Sequence, residues 1–168
     1  MSEYEITITA ARGGQPHDEL TYDVLNDDLA EAKAEIRETF GDAYRLKDSG
    51  DAWEGNDLFG LSLAYIWKLA QIAEEQQSPG AFMAWLLAAG ELAHGLPDKM
   101  PERFAEVWQG TFGTYAEFAQ WRADEDGVPN WLFTCIDWDK AGRGIAQDYS
   151  VIELRSGEIA VFRKNSQF

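Results

Sequence analysis

Apolar and polar residues alternate at both ends of this chain, in the pattern that half-buried β-strands show. Near the start the alternation covers residues 4–10 and again 20–24. Near the end it covers residues 149–154 and 159–162, which flank the turn dipeptide Ser156-Gly157. The sequence therefore predicts short strands at the start and a β-hairpin at the end.

Between these strands the apolar residues recur at helical spacing. Asn26-Asp27-Asp28 supplies N-cap candidates for a helix that continues to about Phe40 and stops at Gly41. The stretch from Asp48 to Asp57 is typical of an acidic loop. Further helices, separated by Gly and Pro, are predicted at about residues 61–75, 81–89, 101–108, 114–123 and 129–146.

The order of these elements predicts an α+β protein with small lobes. We expect an antiparallel β/α lobe at residues 1–60, a central helical lobe at 61–103, and a C-terminal α/β lobe at 104–168 that ends in the hairpin. With 45% apolar residues and 22 aromatic residues, the chain can bury a core, which disfavours intrinsic disorder.

The charge balance sets this chain apart from an ordinary small protein, because acidic residues are in large excess. The 30 Asp and Glu residues outnumber 14 Lys and Arg residues, so the net charge is −16, whereas designed domains work at about 2–8. Residues 1–60 have a net charge of −10, residues 61–126 of −6, and residues 127–168 of zero. This distribution disfavours direct binding to nucleic acid or to an anionic membrane and favours a basic protein partner. A surface tuned for solubility or high salt is the alternative.

The helix predicted after Asp28 shows how the acids are arranged. Its apolar residues fall in one stripe: Leu29, Ala32, Ile36 and Phe40. Its acids fall on the opposite side: Asp28, Glu31, Glu35 and Glu38. Lys33 and Arg37 lie to one flank, and neither has the i,i+4 spacing that would pair it with these acids. The row is therefore expected to be electrostatically uncompensated, although many acidic rows are ordinary solvated helix faces.

The residues that usually carry catalysis or bind metals are sparse. His17 is predicted in a loop, and His94 follows a helix that is predicted to be buried. Cys135 lies in the apolar run 131–136 and is expected to be a buried, unreactive residue. Residues 51–57 lack the order of an EF-hand calcium loop. With no zinc, phosphate-loop or nucleophile–base motif, we expect no enzyme activity, no cofactor and no metal.

The first residues and the cysteine content bear on location. The N-terminus lacks the basic and apolar regions of a signal peptide, and no apolar run is long enough to cross a membrane. A single cysteine permits no internal disulfide, which fits a reducing compartment. We therefore expect a cytoplasmic protein that does not contact membranes.

Two segments of the last third resemble antirestriction proteins of the ArdA type. Residues 136–149, IDWDKAGRGIAQDY, are similar to that family's block ID[WY]-x-x-x-[AG]-R-x-[ILF]-x-x-x-[DG]-[YT]. Residues 105–112, AEVWQGTF, are similar to its segment x-x-[AY]-Y-x-G-x-[YF], and an acidic helix follows in both. The closing hairpin also fits. The specific match covers about residues 104–164, whereas residues 1–100 agree mainly in layout and charge.

The resemblance implies an elongated, three-lobed homodimer that mimics bent B-form DNA. Such proteins occupy the DNA-binding groove of type I restriction–modification enzymes, so the implied partner is the methyltransferase/specificity complex. The nearly uncharged stretch 58–73 departs from this pattern and would interrupt the phosphate-like surface. The residues that we expect to imitate phosphates are Asp27, Asp28, Glu31, Glu35, Glu38, Asp42, Asp51, Glu54, Asp57, Glu117, Asp124 and Glu125.

Two other classes of function stay open at this point. The chain could be an acidic immunity or adaptor protein that caps another basic protein, such as a different defence nuclease, by shape. It could also be an enzyme of unknown class, which would require a concave pocket with converging, perturbed groups. Competition by duplex DNA and inhibition of a type I complex distinguish these hypotheses from DNA mimicry.

Overall fold

Six strands and six α-helices follow one another in the part of the chain that the structure, a computed structural model, describes: residues 4–11, 19–53, 55–90 and 96–164. The strands are β1 Glu5–Ala10, β2 Glu19–Asp23, β3 Tyr44–Ser49, β4 Trp108–Phe112, β5 Tyr149–Glu153 and β6 Ile159–Arg163. The helices are α1 Leu29–Phe40, α2 Leu63–Glu74, α3 Pro79–Ala89, α4 Met100–Val107, α5 Tyr115–Glu125 and α6 Trp138–Ile145. The fold is α+β, as the sequence predicts.

The chain divides into two compact units, Met1–Pro101 and Glu102–Phe168. The first contains the sheet β2-β1-β3 and the second contains the sheet β4-β6-β5, both antiparallel. Residues of the predicted N-terminal and central lobes belong together to the first unit. One reason is a hydrogen bond from the Trp67 indole N–H in α2 to the backbone carbonyl of Asp27, at 2.9 Å, just before α1.

The first sheet is centred on β1, whose Ile6 and Ile8 are completely buried. They stand opposite Tyr22 and Leu20 of β2, so the alternation in both strands places one face on the core. β3 was not predicted: no element was assigned to residues 42–47, and the last two residues of the strand fall in the predicted loop 48–57. It is an edge strand in which Tyr44 and Leu46 alternate with Arg45 and Lys47, and this apolar period is too short to predict a strand.

The segment after β3 closes the core of the first unit. Asp51–Trp53 forms a 3₁₀ helix that buries Trp53 completely, and the indole N–H donates to the Glu5 carbonyl at 3.2 Å. Asn56 is also buried, and its amide donates to the carbonyls of Trp53 and Met83, each at 2.8 Å. These bonds connect the sheet, the loop and α3 through groups that would be costly to bury unpaired.

The second sheet is centred on β6, in which all four residues from Ile159 to Phe162 are buried. Phe118 of α5 packs with Ile159 and Val161, whereas Phe104 of α4 contacts Phe162, with ring centroids 6.1 Å apart. Alternate residues of a strand point to opposite faces, so β6 is covered on both sides. The predicted hairpin β5–β6 is confirmed. β4 was not predicted, and Trp108, expected in a helix, begins this strand.

The single helix predicted over residues 129–146 is wrong. Asn130–Cys135 winds as a 3₁₀ helix, and α6 begins anew after Asp137, whose carboxylate caps it by accepting from the Lys140 amide at 3.2 Å. The expected burial of Cys135 is also wrong, since it is exposed, and nearby Trp131 is 72% exposed. Because Asn130–Cys135 is a short 3₁₀ helix, the apolar residues of this segment are not all directed toward a core.

Candidate partner-binding surface

Helix α1 presents the acidic row that the sequence predicts. Ala32 and Ile36 are buried where α1 packs against β1 and α2, which fixes the opposite face toward solvent. Asp28 caps the helix, because one carboxylate oxygen accepts from the amides of Ala30 and Glu31 at 2.8 and 3.0 Å. Gly41 ends it with a φ of 64°, a conformation that favours glycine.

Glu31, Glu35 and Glu38 are all exposed on that outer face. At about 1.5 Å of rise per residue, they span about 10 Å along the helix axis. One strand of B-form DNA places a phosphate every 3.4 Å or so of rise, which gives about four phosphates over the same distance. The row therefore approaches the axial charge density of one DNA strand, with three carboxylates in place of about four phosphates.

No cation compensates the row within the described residues. Lys33 and Arg37 form no ion pair there, and the carboxylates of Glu31 and Glu38 accept no hydrogen bond. Like charges three or four residues apart on a helix cost about 0.2–0.5 kcal/mol per pair. The arrangement is thus mildly unfavourable for the isolated protein and leaves the carboxylates available to an external cation.

Glu35 is held in place by a neighbouring strand. The buried Tyr22 hydroxyl of β2 donates to Glu35 Oε2 at 3.0 Å. Burial, this hydrogen bond and the negative charges of Glu35 and Asp27 raise the pKa of Tyr22 above its ordinary value. The tyrosine therefore stays neutral and remains a donor, which fixes the central carboxylate of the row.

The turn before α1 adds further carboxylates in a rigid arrangement. Asp27 Oδ2 accepts from the Asp23 amide at 2.7 Å. Asp23 in turn accepts from the amide of Leu25 at 3.2 Å and from the side chain of Asn26 at 2.6 Å. Asp23 is not among the predicted phosphate mimics, although an Asp two residues before a turn amide is a recognisable Asx-turn pattern. Acids here also lie at the positive end of the α1 dipole, which stabilises them.

The predicted phosphate mimics fall into groups. All of those that the structure describes are exposed, and Glu54 lies outside the described residues. Those that accept hydrogen bonds from the protein itself are Asp27, Asp28, Glu35, Asp57 and Glu117. Asp51 begins the 3₁₀ helix after β3. Those whose side chains have no partner among the described residues are Glu31, Glu38, Asp42, Asp124 and Glu125.

Three of the predicted acids belong to the second unit. Glu117 lies in the first turn of α5, where it accepts from the Gly113 amide at 2.9 Å, and this is a capping contact. Asp124 and Glu125 lie at the other end of α5, where the helix dipole disfavours negative charge by about 0.3–1 kcal/mol each. Asp126 next to them pairs with Arg122 at 2.7 Å. Helix stability therefore does not account for Asp124 and Glu125.

The described residues of this surface offer charge and hydrogen-bond acceptors but no assembled metal site. Among the described residues, no group of three or more His, Cys, Asp or Glu side chains could hold a metal ion. His17 and His94 lie outside the described residues. In the same part of the chain, no helix combines the length and apolar character that crossing a bilayer requires.

Comparison with known proteins adds no relative: no protein-family model matches the sequence, and no curated protein matches it. The interpretation of the surface therefore depends on its own geometry and charge. The clearest feature is the α1 row, in which folding fixes three carboxylates on one exposed face.

Proposed function

We propose that this protein is a DNA-mimic inhibitor that occupies the DNA-binding groove of a type I restriction–modification methyltransferase/specificity complex. The observation that supports it is the row of Glu31, Glu35 and Glu38, which no described cation compensates and whose axial density is somewhat below that of the phosphates on one DNA strand. The resemblance of residues 104–164 to ArdA-type proteins supports the choice of target. No catalysis and no cofactor are part of the proposal.

The physical basis is that Lys and Arg side chains attract carboxylates through the same forces that attract phosphates. A DNA-binding groove is lined with such cations and is filled by counterions or DNA. The inhibitor would release those counterions, so its binding should weaken steeply as salt rises. A homodimer, which the resemblance implies, would present the α1 row twice and lengthen the imitated surface.

The test is inhibition of a type I methyltransferase complex by the full chain, with duplex DNA as competitor. The row variant E31Q/E35Q/E38Q keeps the shape and removes three charges. The control E74Q/E75Q/E106Q removes three charges from exposed positions on or beside α2 and α4. We expect the row variant to lose most of its binding and to show a shallower salt dependence, because each neutralised carboxylate removes one ionic contact. Equal losses in both variants, or no binding at low salt, would sink the proposal.

The second candidate is an acidic protein that caps a different basic partner by shape. It is favoured by one observation, the limited length of the α1 row, since about 10 Å is less than a third of a turn of B-form DNA at about 34 Å. Under this hypothesis the row variant still loses binding to its partner. Duplex DNA would compete only if that partner itself binds DNA.

A further inference from the structure

The second unit contains a surface cavity whose charged lining contrasts with the acidity of the chain. Its volume is about 570 Å³, within the range of about 300–1,000 Å³ that small-molecule sites show. The charged residues that line it are Arg122, Asp126, Asp148, Arg163 and Lys164. The lining therefore has a net charge of +1 in a protein whose net charge is −16.

Residues from separate elements converge on this cavity. Tyr149 begins β5 and stands opposite Arg163, the last residue of β6. Gln109 lies at the irregularity of β4 between Trp108 and Gly110. Arg122 comes from the last turn of α5. The folded second unit thus assembles a site that no local stretch of sequence contains.

Two of the three cations are held by contacts, and the lining has more cations than acids. Asp126 holds the Arg122 guanidinium at 2.7 Å, and the Lys164 ammonium donates to the Gln147 carbonyl. Arg163 forms no ion pair with any described residue. The cavity can therefore offer charge-assisted donors to an anionic group, and a phosphate accepts several of them at once.

The remaining lining suits the uncharged part of such a ligand. The Gln109 amide donates to the carbonyls of Val107 and Trp108, at 3.4 and 3.2 Å, which leaves its Oε1 as an acceptor. Asp148 supplies further acceptors for hydroxyl groups. Tyr149, whose ring meets that of Phe118 edge-on at 5.3 Å, and Ile145 supply apolar surface.

We propose that this cavity binds a small sugar phosphate, with the phosphate on Arg122, Arg163 and Lys164. The sugar hydroxyls donate to Asp148 and Gln109, and the carbon skeleton of the sugar packs on Tyr149 and Ile145. Asp148 repels a bare phosphate, so the hydroxyls are what select the ligand. This function is independent of DNA mimicry, because it uses the cations of the second unit and not the α1 row.

The test is an NMR titration of the ¹⁵N-labelled full chain with ribose 5-phosphate, inorganic phosphate and ribose. We expect saturable shifts at the cavity amides with ribose 5-phosphate, weaker binding of inorganic phosphate, and the weakest binding of ribose. R163Q should lower the affinity for ribose 5-phosphate about tenfold, because it removes one charge-assisted contact. The control K140Q, an exposed cation of the same unit outside the cavity, should leave it unchanged.

A second variant separates the anion part from the hydroxyl part. D148N should strengthen the binding of inorganic phosphate and reduce the preference for ribose 5-phosphate, which a general loss of folding could not do. The proposal is overturned if cavity amides show no saturable shift with any probe, or if inorganic phosphate binds as tightly as ribose 5-phosphate. Equal losses from R163Q and K140Q would overturn it as well.

Discussion

The two units share an architecture but differ in how their charges are balanced. The first unit has 19 acidic and 7 basic residues, a net charge of −12, whereas the shorter second unit has 11 and 7, a net charge of −4. In the second unit, Arg122 of α5 pairs with Asp126, the residue that follows the helix, and Arg143 pairs with Asp139 within α6, both at i,i+4 spacing. The described residues of α1 form no ion pair. A three-stranded sheet packed with helices therefore does not require an uncompensated acidic helix, and the acidity of α1 calls for another explanation.

The largest expected effect is a loss of stability in the second unit. A Cβ at Gly142 in α6 would lie 1.9 Å from the Tyr115 carbonyl oxygen, so G142A should destabilise the second unit by roughly 3 kcal/mol. Urea unfolding followed by tryptophan fluorescence measures this. The control G144A, in the same helix with no atom within 4 Å of its Cβ, should be neutral or slightly stabilising. Equal losses in both variants would contradict the close helix contact.

A smaller effect distinguishes acids whose side chains stabilise the first unit from exposed acids whose side chains have no described partner. D28A removes the α1 cap and should cost about 1 kcal/mol, whereas D28N, which keeps an acceptor oxygen, should cost much less. E31A and E38A should cost little, since the described residues give these side chains no partner. Thermal unfolding measures all four variants. If E31A were as damaging as D28A, the division of the row into structural and free carboxylates would be wrong.

The contact between Tyr22 and Glu35 should be visible in the pH dependence of stability. The folded-state pKa of Tyr22 is raised, so its contribution is complete below the ordinary tyrosine pKa and is lost as the pH rises through the folded value. Above about pH 10 the wild type should therefore lose stability more steeply than Y22F. Urea unfolding at a series of alkaline pH values measures the two slopes. Identical slopes would show that Tyr22 ionises as easily in the folded state as in the unfolded state.

The smallest expected effect is a gain in stability. Neutralising like charges on α1 should stabilise the first unit by about 0.2–0.5 kcal/mol for each repulsive pair removed, so E38Q, which removes the Glu35–Glu38 repulsion and leaves the Tyr22–Glu35 hydrogen bond intact, should be slightly stabilising. D124N/E125Q should stabilise the second unit by about 0.3 kcal/mol for each acid, the lower end of the helix-dipole effect, because both positions are exposed. Melting temperatures at low salt measure both. A clear loss of stability in D124N/E125Q would show that these acids have a structural role.

The sequence predicted the elements that local signals determine. Strand β1, helix α1 with its Asp28 cap, and the β5–β6 hairpin all follow from alternation, capping residues and a turn dipeptide. Strands β3 and β4 were missed because each has only a short apolar alternation and pairs with a strand distant in sequence, whereas the edge strands β2 and β5, which pair with the neighbouring strand, were predicted. Long-range pairing of this kind cannot be recognised from a local window of sequence.

The features of the candidate site divide in the same way, into those that local sequence predicts and those that depend on long-range contacts. The acidic row could be predicted because helical periodicity alone places Glu31, Glu35 and Glu38 on one face. The hydrogen bond from Tyr22 to Glu35 could not, since it joins a strand to a helix and its partners are 13 positions apart in sequence. The cation-lined cavity was also missed, because Arg122 and Arg163 are 41 positions apart in sequence and meet only in the folded unit.

The edge strands of both sheets bear on how the protein behaves in concentrated solution. Among the described strands, β2 and β3 border the first sheet, and β4 and β5 border the second. Edges of this kind can pair with another molecule and lead to aggregation. A net charge of −16 keeps copies apart while the Debye length, about 10 Å at 0.1 M salt, exceeds the distance over which edges meet. The acidity that we assign to partner binding would then also act as colloidal protection, and high salt would weaken both together.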